Sequence, residues 1–152
     1  MARDFLAYWK PSTLEAESAV GGLLNHAASN QYRRVAVGDT VWLVSVLDGR
    51  LRLIGRIIVG RIVDQAGAAR ELGTTNLWKA DHHILPSPDT AHEFANLDVQ
   101  HLASELRFMS AGGNDRLALA EDWSVNAQQL QTMRVLAPES VALLARVVAR
   151  IA

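Results

Sequence analysis

The chain has 152 residues, 49% of them hydrophobic and 20% charged, a composition typical of one globular domain rather than of a disordered segment. Its formal net charge of −1 argues against binding nucleic acid through bulk charge alone, so any phosphate contact requires a local basic patch. The absence of cysteine excludes disulfides, zinc–thiolate sites and thiol catalysis. No apolar run has the length of a signal peptide or a membrane span, which predicts a soluble cytoplasmic protein.

The predicted elements begin with a strand over residues 4–9, where apolar and aromatic residues alternate. A helix is predicted from about Leu14, because Ser12 and Thr13 are typical N-cap residues. The glycine pair at 21–22 is expected to end this helix.

A β-hairpin is the clearest prediction in the middle of the chain. Residues 40–47 are rich in valine, leucine and tryptophan and predict a strand. Asp48-Gly49 is a strong signal for a two-residue turn. The return strand, residues 50–64, is too long to be regular throughout, so Gly55 and Gly60 are predicted to be bulges.

The second half of the chain predicts shorter elements. Residues 65–73 fit a short helix or a loop, residues 77–85 a strand, and residues 96–109 a helix with leucines at helical spacing. A late strand follows at residues 131–136. Pro138 suits the first residue of a final helix. The apolar face of that helix is formed by Val141, Leu144, Val148 and Ile151.

Together these elements predict one α+β domain over residues 1–152, built as a small mixed β-barrel with flanking helices. Neither a GxSxG elbow nor a GxGxxG or GxxxxGK phosphate loop is present, which favours a function without catalysis or cofactor. The adjacent His82 and His83 would point to opposite faces of a strand, so no metal site is predicted and both are expected at a surface or a strand edge.

Tryptophans and arginines offer candidate binding residues. Trp9 and Trp42 lie within predicted strands and are expected in the core. Trp78 and Trp123 lie among polar residues, where an exposed indole ring often stacks on a ligand. The ordered basic residues form either a solvated face or a phosphate patch, and they are Arg33, Arg34, Arg50, Arg52 and Arg56.

The segment NHAASNQYRRVAVGD, residues 25–39, places amide side chains directly before the apolar strand. Asn25, the group Ala28-Ser29-Asn30, Arg33 and the turn Val37-Gly38-Asp39 resemble the EVE domain of the PUA-like superfamily, which includes the YTH readers of methylated adenine. The segments YWK, GRIIVGRIVD, LWKADHHI and LQTMRVLAPES are similar to further motifs of that family. The chain departs from the family pattern at Val20, a tryptophan in many EVE domains, and at Ser29, usually an arginine.

This resemblance implies a PUA-like barrel, closest to the EVE modules fused to HNH nucleases in modification-dependent restriction. Such modules are implied to read 5-methylcytosine or 5-hydroxymethylcytosine in DNA by flipping the base into a pocket. No HNH segment occurs here, so a nuclease or another effector is the expected partner. The expected base pocket is formed by Ser29, Asn30, Tyr32, Trp78, Asp81 and Trp123, with Lys10 and Arg33 at the flanking phosphates.

The sequence is also compatible with other functions. A module for a modified base in RNA differs from a DNA reader only in its contact with the 2′-hydroxyl. A small-ligand or nucleotide-binding regulatory domain is a second alternative, and a hydrolase lacking a recognisable nucleophile motif is a third. Asn25 and Asn30 also fit a purely structural role, because asparagine often satisfies the backbone of a loop.

Overall fold

The computed structural model describes residues 2–19, 23–110 and 114–150, and this part of the chain combines three helices with a mixed sheet. The helices are α1 (Pro11–Ala19), α2 (Gln65–Leu72) and α3 (Pro138–Ala149), and three short 3-10 helices lie at Asn30–Arg34, Gln100–Leu102 and Ala127–Leu130. The strands are β1 (Asp4–Tyr8), β2 (Leu23–Leu24), β3 (Ala27–Ala28), β4 (Thr40–Leu47), β5 (Arg50–Val63), β6 (His83–Pro86), β7 (His92–Glu93), β8 (Leu97–Asp98) and β9 (Arg134–Val135).

The main sheet has seven strands in the order β3-β6-β5-β4-β1-β9, with β8 paired to β5 beside this path. Only β1 and β4 run parallel among these pairs, and β2 and β7 form a separate two-stranded sheet. The predicted α+β class is confirmed. Within the described residues the path ends at β3 and β9, which do not pair with each other, so the sheet is not closed into a barrel.

A glutamine side chain bridges the two open ends of the sheet. Gln31, which follows β3, donates from Nε2 to the carbonyl of Gln131 at 2.7 Å. Its Oε1 accepts from the backbone N–H of Met133 at 2.6 Å. One amide therefore serves a carbonyl and an N–H two residues apart, as a peptide group does in a β-ladder. β3 and β9, the strands at the two ends, are each two residues long, and the Gln31 side chain supplies hydrogen bonds between these ends in place of strand pairing.

The central hairpin matches its prediction closely. Asp48 and Gly49 have φ angles of 52° and 75°, the left-handed conformation that a two-residue turn requires. The register between β4 and β5 shifts next to Gly55, and the register between β5 and β6 shifts at Gly60. A Cβ atom at Gly60 would lie 2.5 Å from the Cα of Ser87, so close approach of two backbones requires glycine there.

Two hydrophobic cores lie on opposite sides of the sheet, because side chains alternate along β1 and β4. We call them the helix-side core and the cavity-side core. The helix-side core lies beneath α3 and includes Leu6, Trp42, Val44, Leu53, Leu106 and Leu144. The cavity-side core includes Phe5, Ala7, Trp9, Tyr32, Val41, Leu43, Ile57 and Ile84. The predicted core positions of Trp9 and Trp42 are confirmed, with 7% and 1% of their surface exposed.

The first helix begins earlier than predicted, at Pro11. The backbone N–H groups of Thr13 and Leu14 both donate to the carbonyl of Lys10, which therefore lies at the start of the helix. Proline suits the first helical position because its φ angle is already helical and its missing N–H costs nothing there. Ser12 is thus part of the first turn rather than a cap, and the predicted end at residues 21–22 lies outside the described residues.

The strand predicted at residues 77–85 is wrong over its first six residues, since β6 begins only at His83. Residues 77–82 form a loop whose backbone bonds to side chains. The N–H of Ala80 donates to Gln65 Oε1 at 3.1 Å, and the N–H of Asp81 donates to Asn30 Oδ1 at 2.8 Å. These partners replace the strand neighbour that the apolar pattern suggested.

The helix predicted at residues 96–109 is also wrong. Asn96 has a φ angle of 43°, which is not helical, and residues 97–98 form β8 and pair with β5. The carbonyl oxygen of the Gln100 side chain accepts from the N–H of Leu51 at 2.7 Å, fixing the following turn against the sheet. The leucines that suggested helical spacing contact the helix-side core from a strand, a 3-10 helix and the residue that follows a turn.

The C-terminal elements follow the sequence more closely. Pro138 is the first residue of α3, as predicted, and Val141, Leu144 and Val148 pack on the helix-side core. Ile151 lies outside the described residues. The strand predicted at residues 131–136 is reduced to β9, because the backbone before it bonds to Gln31 instead of to a strand. In the part of the chain that the structure describes, no helix has the length and apolar character to cross a membrane.

Candidate functional site

An open cavity of about 430 Å³ lies where the end of β1 meets the 3-10 helix after β3 and the loop at residues 77–82. We refer to it as the cavity. The end of β1 and the first turns of α1 form one wall, and residues 26–32 form a second. Residues 78–80 form a third wall, and Gln131 and Met133 complete the lining.

The amide-rich segment folds as it does because its small polar side chains bond locally. Ser29 caps the 3-10 helix, its Oγ accepting from the N–H of Gln31 at 3.1 Å. The N–H of Ser29 donates to the carbonyl of His82 at 3.1 Å, and Asn30 Oδ1 accepts from the N–H of Asp81. These bonds join the second and third walls of the cavity. The structural role predicted as an alternative for Asn30 is therefore present, although its amide nitrogen makes no hydrogen bond within the described residues.

Five of the eight predicted site residues line the cavity, although they come from three separate segments of the chain. The structure brings together Lys10, Ser29, Asn30, Tyr32 and Trp78.

The other three predicted site residues do not line the cavity. Asp81 is exposed and contributes only its backbone N–H to Asn30. Arg33 is exposed on the 3-10 helix and does not line the cavity. Trp123 is 68% exposed at a turn whose next residue, Ser124, packs on Gly49 at the tip of the central hairpin. The sequence places Trp123 in a polar loop correctly, but the loop lies at the hairpin and not at the cavity.

Aromatic side chains form much of the cavity wall. Trp9 and Tyr32 are buried, Tyr8 is half-buried, and Trp78 stands 59% exposed at the rim. Burial raises the pKa of the Tyr32 phenol, so this hydroxyl stays neutral and remains a hydrogen-bond donor. The wall therefore has fixed apolar rings inside and one exposed ring beside the entrance.

The charge of the cavity differs from that of the whole chain. The sequence contains two lysines, Lys10 and Lys79, and both line the cavity. One acidic side chain, Glu17, also lines it, and burial raises the pKa of its carboxyl group. A local excess of positive charge is thus present although the formal net charge is −1.

The arginines of β5 do not form a phosphate patch at this site. Arg50 pairs with Asp98 at 2.6 Å, and Arg52 donates to the side-chain oxygen of Asn96 at 2.8 Å. Arg56 lies over the Trp42 ring, 5.4 Å from its centroid. All three side chains contact protein groups away from the cavity, which favours the solvated strand face over the phosphate patch.

A buried histidine pair is the feature that the sequence did not reveal. His26 lines the cavity and is 5% exposed, and its Nε2 lies 2.6 Å from Nδ1 of His83. His83 is fully buried between β3 and β5, so the prediction of a surface or strand-edge position is wrong for it, and its Nε2 lies 2.7 Å from Gln65 Oε1. These residues are far apart in the sequence, and no local pattern signals their contact. Among residues 2–19, 23–110 and 114–150, no three side chains are placed to hold a metal ion.

Comparison with protein-family models, with curated proteins and with solved structures finds no match to this chain. The inference about function therefore rests on the geometry and chemistry of the cavity.

Replacing Asn30 with alanine is expected to cost about 1 kcal/mol of folding stability, because the N–H of Asp81 then loses its acceptor. We expect ligand binding to weaken as well, since the variant also removes an amide from the cavity wall. Denaturant unfolding and a binding titration on the same variant measure the two effects separately. A loss of stability with unchanged binding would assign Asn30 to the loop alone.

Proposed function

We propose that the chain is a non-enzymatic reader of a modified nucleobase, with a modified cytosine in DNA as its expected target. The observation that carries the proposal is the cavity itself, which unites aromatic rings, amide and hydroxyl groups and both lysines of the chain. A flipped base requires such a combination, because its ring needs apolar or aromatic walls and its edge needs donors and acceptors.

Size and shape support this reading. Pockets for small ligands measure roughly 300–1,000 Å³, and the cavity of about 430 Å³ lies within that range. Trp78 stands at the rim with most of its ring exposed, where a planar group can stack on it. Inside, Trp9 and Tyr32 are held rigidly by the cavity-side core, so they are ready for a ligand without rearrangement.

Charge supports a ligand that carries phosphate. Lys10 and Lys79 belong to two different walls and are exposed to solvent, which suits contact with phosphates on both sides of an inserted base. Ser29, Asn30 and Tyr32 are the proposed contacts to the base edge, with Trp78 as the stacking ring. Arg33, Asp81 and Trp123 are not part of this proposal, since they lie outside the cavity lining.

We extend the proposal to the fold family. An α+β domain whose mixed sheet has its two ends bridged by Gln31 suits a PUA-like architecture of the EVE type, although its strands do not close into a barrel. The chemistry of the cavity is shared by DNA and RNA readers, so RNA strands of the same sequence belong in the test. A nuclease or another effector is the proposed partner for the response to the modified base.

The direct test is fluorescence anisotropy with duplexes that differ at one position, which holds cytosine, 5-methylcytosine or 5-hydroxymethylcytosine. We expect tighter binding to at least one modified duplex than to the unmodified one, because the rigid cavity surrounds the inserted base. Equal affinity for all three DNA duplexes and for the matched RNA would overturn the proposal.

Salt dependence tests the phosphate contacts. For the double variant Lys10→Ala/Lys79→Ala we expect the slope of log affinity against log salt to fall by about one to two, roughly one for each lost contact. The control is the double variant Arg146→Ala/Arg150→Ala, which removes two exposed positive charges at α3 and its C-terminal end, away from the cavity lining. An equal change in the slope for both variants would show that the lysines act only through net charge.

A further inference from the structure

The wall of the cavity contains a nearly buried histidine with an unused ring nitrogen. His26 is 5% exposed and lines the cavity, and its Nδ1 has no hydrogen-bond partner among the described residues. Among the described residues, three side-chain polar atoms are both shielded from solvent and without a hydrogen bond. Nδ1 of His26 does not belong to this group, so it keeps some contact with solvent. Because Nδ1 is not sealed from solvent and the cavity is the opening that His26 lines, we infer that this nitrogen faces the cavity.

The proton positions on the rings of His83 and His26 follow from one backbone donor, the N–H of Ala80. The N–H of Ala80 donates to Oε1 of Gln65 at 3.1 Å, so the atom at that place is the amide oxygen and not the amide nitrogen. His83 Nε2 lies 2.7 Å from the same oxygen and must therefore carry a proton to donate.

The same reasoning continues from His83 to His26. A neutral imidazole with a proton on Nε2 has a lone pair on Nδ1. His26 Nε2 lies 2.6 Å from that lone pair and must donate to it. Neutral His26 then carries its proton on Nε2, and its Nδ1, which faces the cavity, is an acceptor.

Burial keeps both rings neutral near pH 7. Burial, and to a lesser extent the repulsion of His83, lowers the pKa of His26 to about 4. Burial also lowers the pKa of His83. Protonation therefore does not turn Nδ1 of His26 into a donor under ordinary conditions.

We propose that His26 is a specificity-determining residue, which presents Nδ1 as a fixed acceptor and selects ligands with an N–H or O–H donor at that point. Gln65 is a positioning residue, since it sets the tautomer through His83 without lining the cavity. This inference rests on the proposed function. In a base reader the matching group is the exocyclic amine of cytosine, whereas the carbonyl O4 of thymine would meet the lone pair unpaired.

The binding test uses single-stranded DNA with one 5-methylcytosine or one thymine at the same position, which removes the difference in base pairing. The two bases share the 5-methyl group and differ in the donor and acceptor pattern of the edge. We expect the wild-type chain to prefer 5-methylcytosine by about tenfold or more. The reason is that His26 Nδ1 accepts a hydrogen bond from this base, whereas thymine leaves it unpaired. His26→Phe keeps a ring of similar shape and should erase most of that preference.

Glu17 provides the matched comparison, because its carboxylate is another acceptor in the cavity. Glu17→Met keeps a side chain of similar length but removes the oxygen acceptors, and it should keep the preference for 5-methylcytosine. If Glu17→Met erases the preference and His26→Phe retains it, the acceptor is Glu17 and our assignment of His26 is overturned.

The tautomer is measured without any ligand from the imidazole nitrogen resonances in two-bond ¹H–¹⁵N spectra. We expect both histidines to carry the proton on Nε2 in the wild-type chain. Gln65→Leu removes the acceptor that orders the pair, so a mixture of tautomers and a smaller base preference are expected. A purely structural role for Gln65 would change stability but not the nitrogen resonances. Gln128→Leu, an exposed glutamine away from the cavity, is the control.

The outcomes separate this inference from the reader proposal. A proton on Nδ1 of His26 in the wild-type chain overturns the inference alone. Equal binding of 5-methylcytosine and thymine strands, or a preference that survives in His26→Phe, also overturns it and leaves base reading intact. No binding of any strand overturns the proposed function and, with it, the inference.

Discussion

The free energy of unfolding is expected to fall by about 3 kcal/mol between pH 6.5 and about pH 4, from the titration of His26 alone. Burial lowers the pKa of His26 from 6.5 to about 4 in the folded chain. Between these values the unfolded chain binds a proton that the folded chain does not, so stability decreases as the pH falls through this window. His83 acts in the same direction, since burial lowers its pKa as well.

Three acidic groups also have shifted pKa values, and their effects on stability differ from that of the histidines. Hydrogen bonds hold the pKa values of Asp98 and Asp122 below 3.8, so their contributions are lost at more acidic pH than this window. The raised pKa of Glu17 has the opposite sign and slightly favours the folded chain as the pH falls toward 4.5. The decrease between pH 6.5 and about pH 4 is therefore attributed to the buried histidines.

Urea unfolding at a series of pH values measures this effect. His26→Phe should be less stable than the wild-type chain at neutral pH, because His83 loses a donor, but its stability should vary much less with pH. His101→Phe is the matched control, since it removes a histidine whose side chain is exposed. An unchanged pH profile in His26→Phe would show that the buried pair is not the source of the acid sensitivity.

The elements that local sequence determines were predicted correctly. The Asp48-Gly49 turn and the bulges at Gly55 and Gly60 depend on the backbone freedom of single residues, which the sequence states directly. The final helix follows from Pro138 and the apolar spacing after it.

Elements that depend on distant side chains were predicted wrongly or not at all. The loop before β6 is held by Asn30 and Gln65, and apolar periodicity contains no information about such partners. The bridge at Gln31 joins residues about a hundred positions apart. The contact between His26 and His83 likewise spans 57 positions. Local patterns therefore indicated Asn30 and Trp78 in the cavity wall, but they did not indicate His26, whose position depends on a distant partner.

Trp78→Ala is expected to weaken binding of the modified strand by about 1–3 kcal/mol, the usual contribution of one stacked base. The fold should tolerate the change, because the ring is 59% exposed and leaves little buried space when it is removed. We expect stability to change by about 0.5 kcal/mol or less, as for other exposed positions. Trp78→Phe should retain part of the affinity, since a smaller ring still stacks. Anisotropy titration and thermal unfolding of each variant measure the two quantities.

Trp123→Ala is the matched control, because Trp123 is also an exposed tryptophan in a loop, with 68% of its surface accessible, yet it lies outside the cavity. It should leave both affinity and stability near the wild-type values. A strongly destabilised Trp78→Ala would show that this ring supports the fold. Full binding by Trp78→Ala together with a loss in Trp123→Ala would move the recognition surface to the tip of the central hairpin. Only the combination of lost binding at Trp78 and retained binding at Trp123 fits a base held in the cavity.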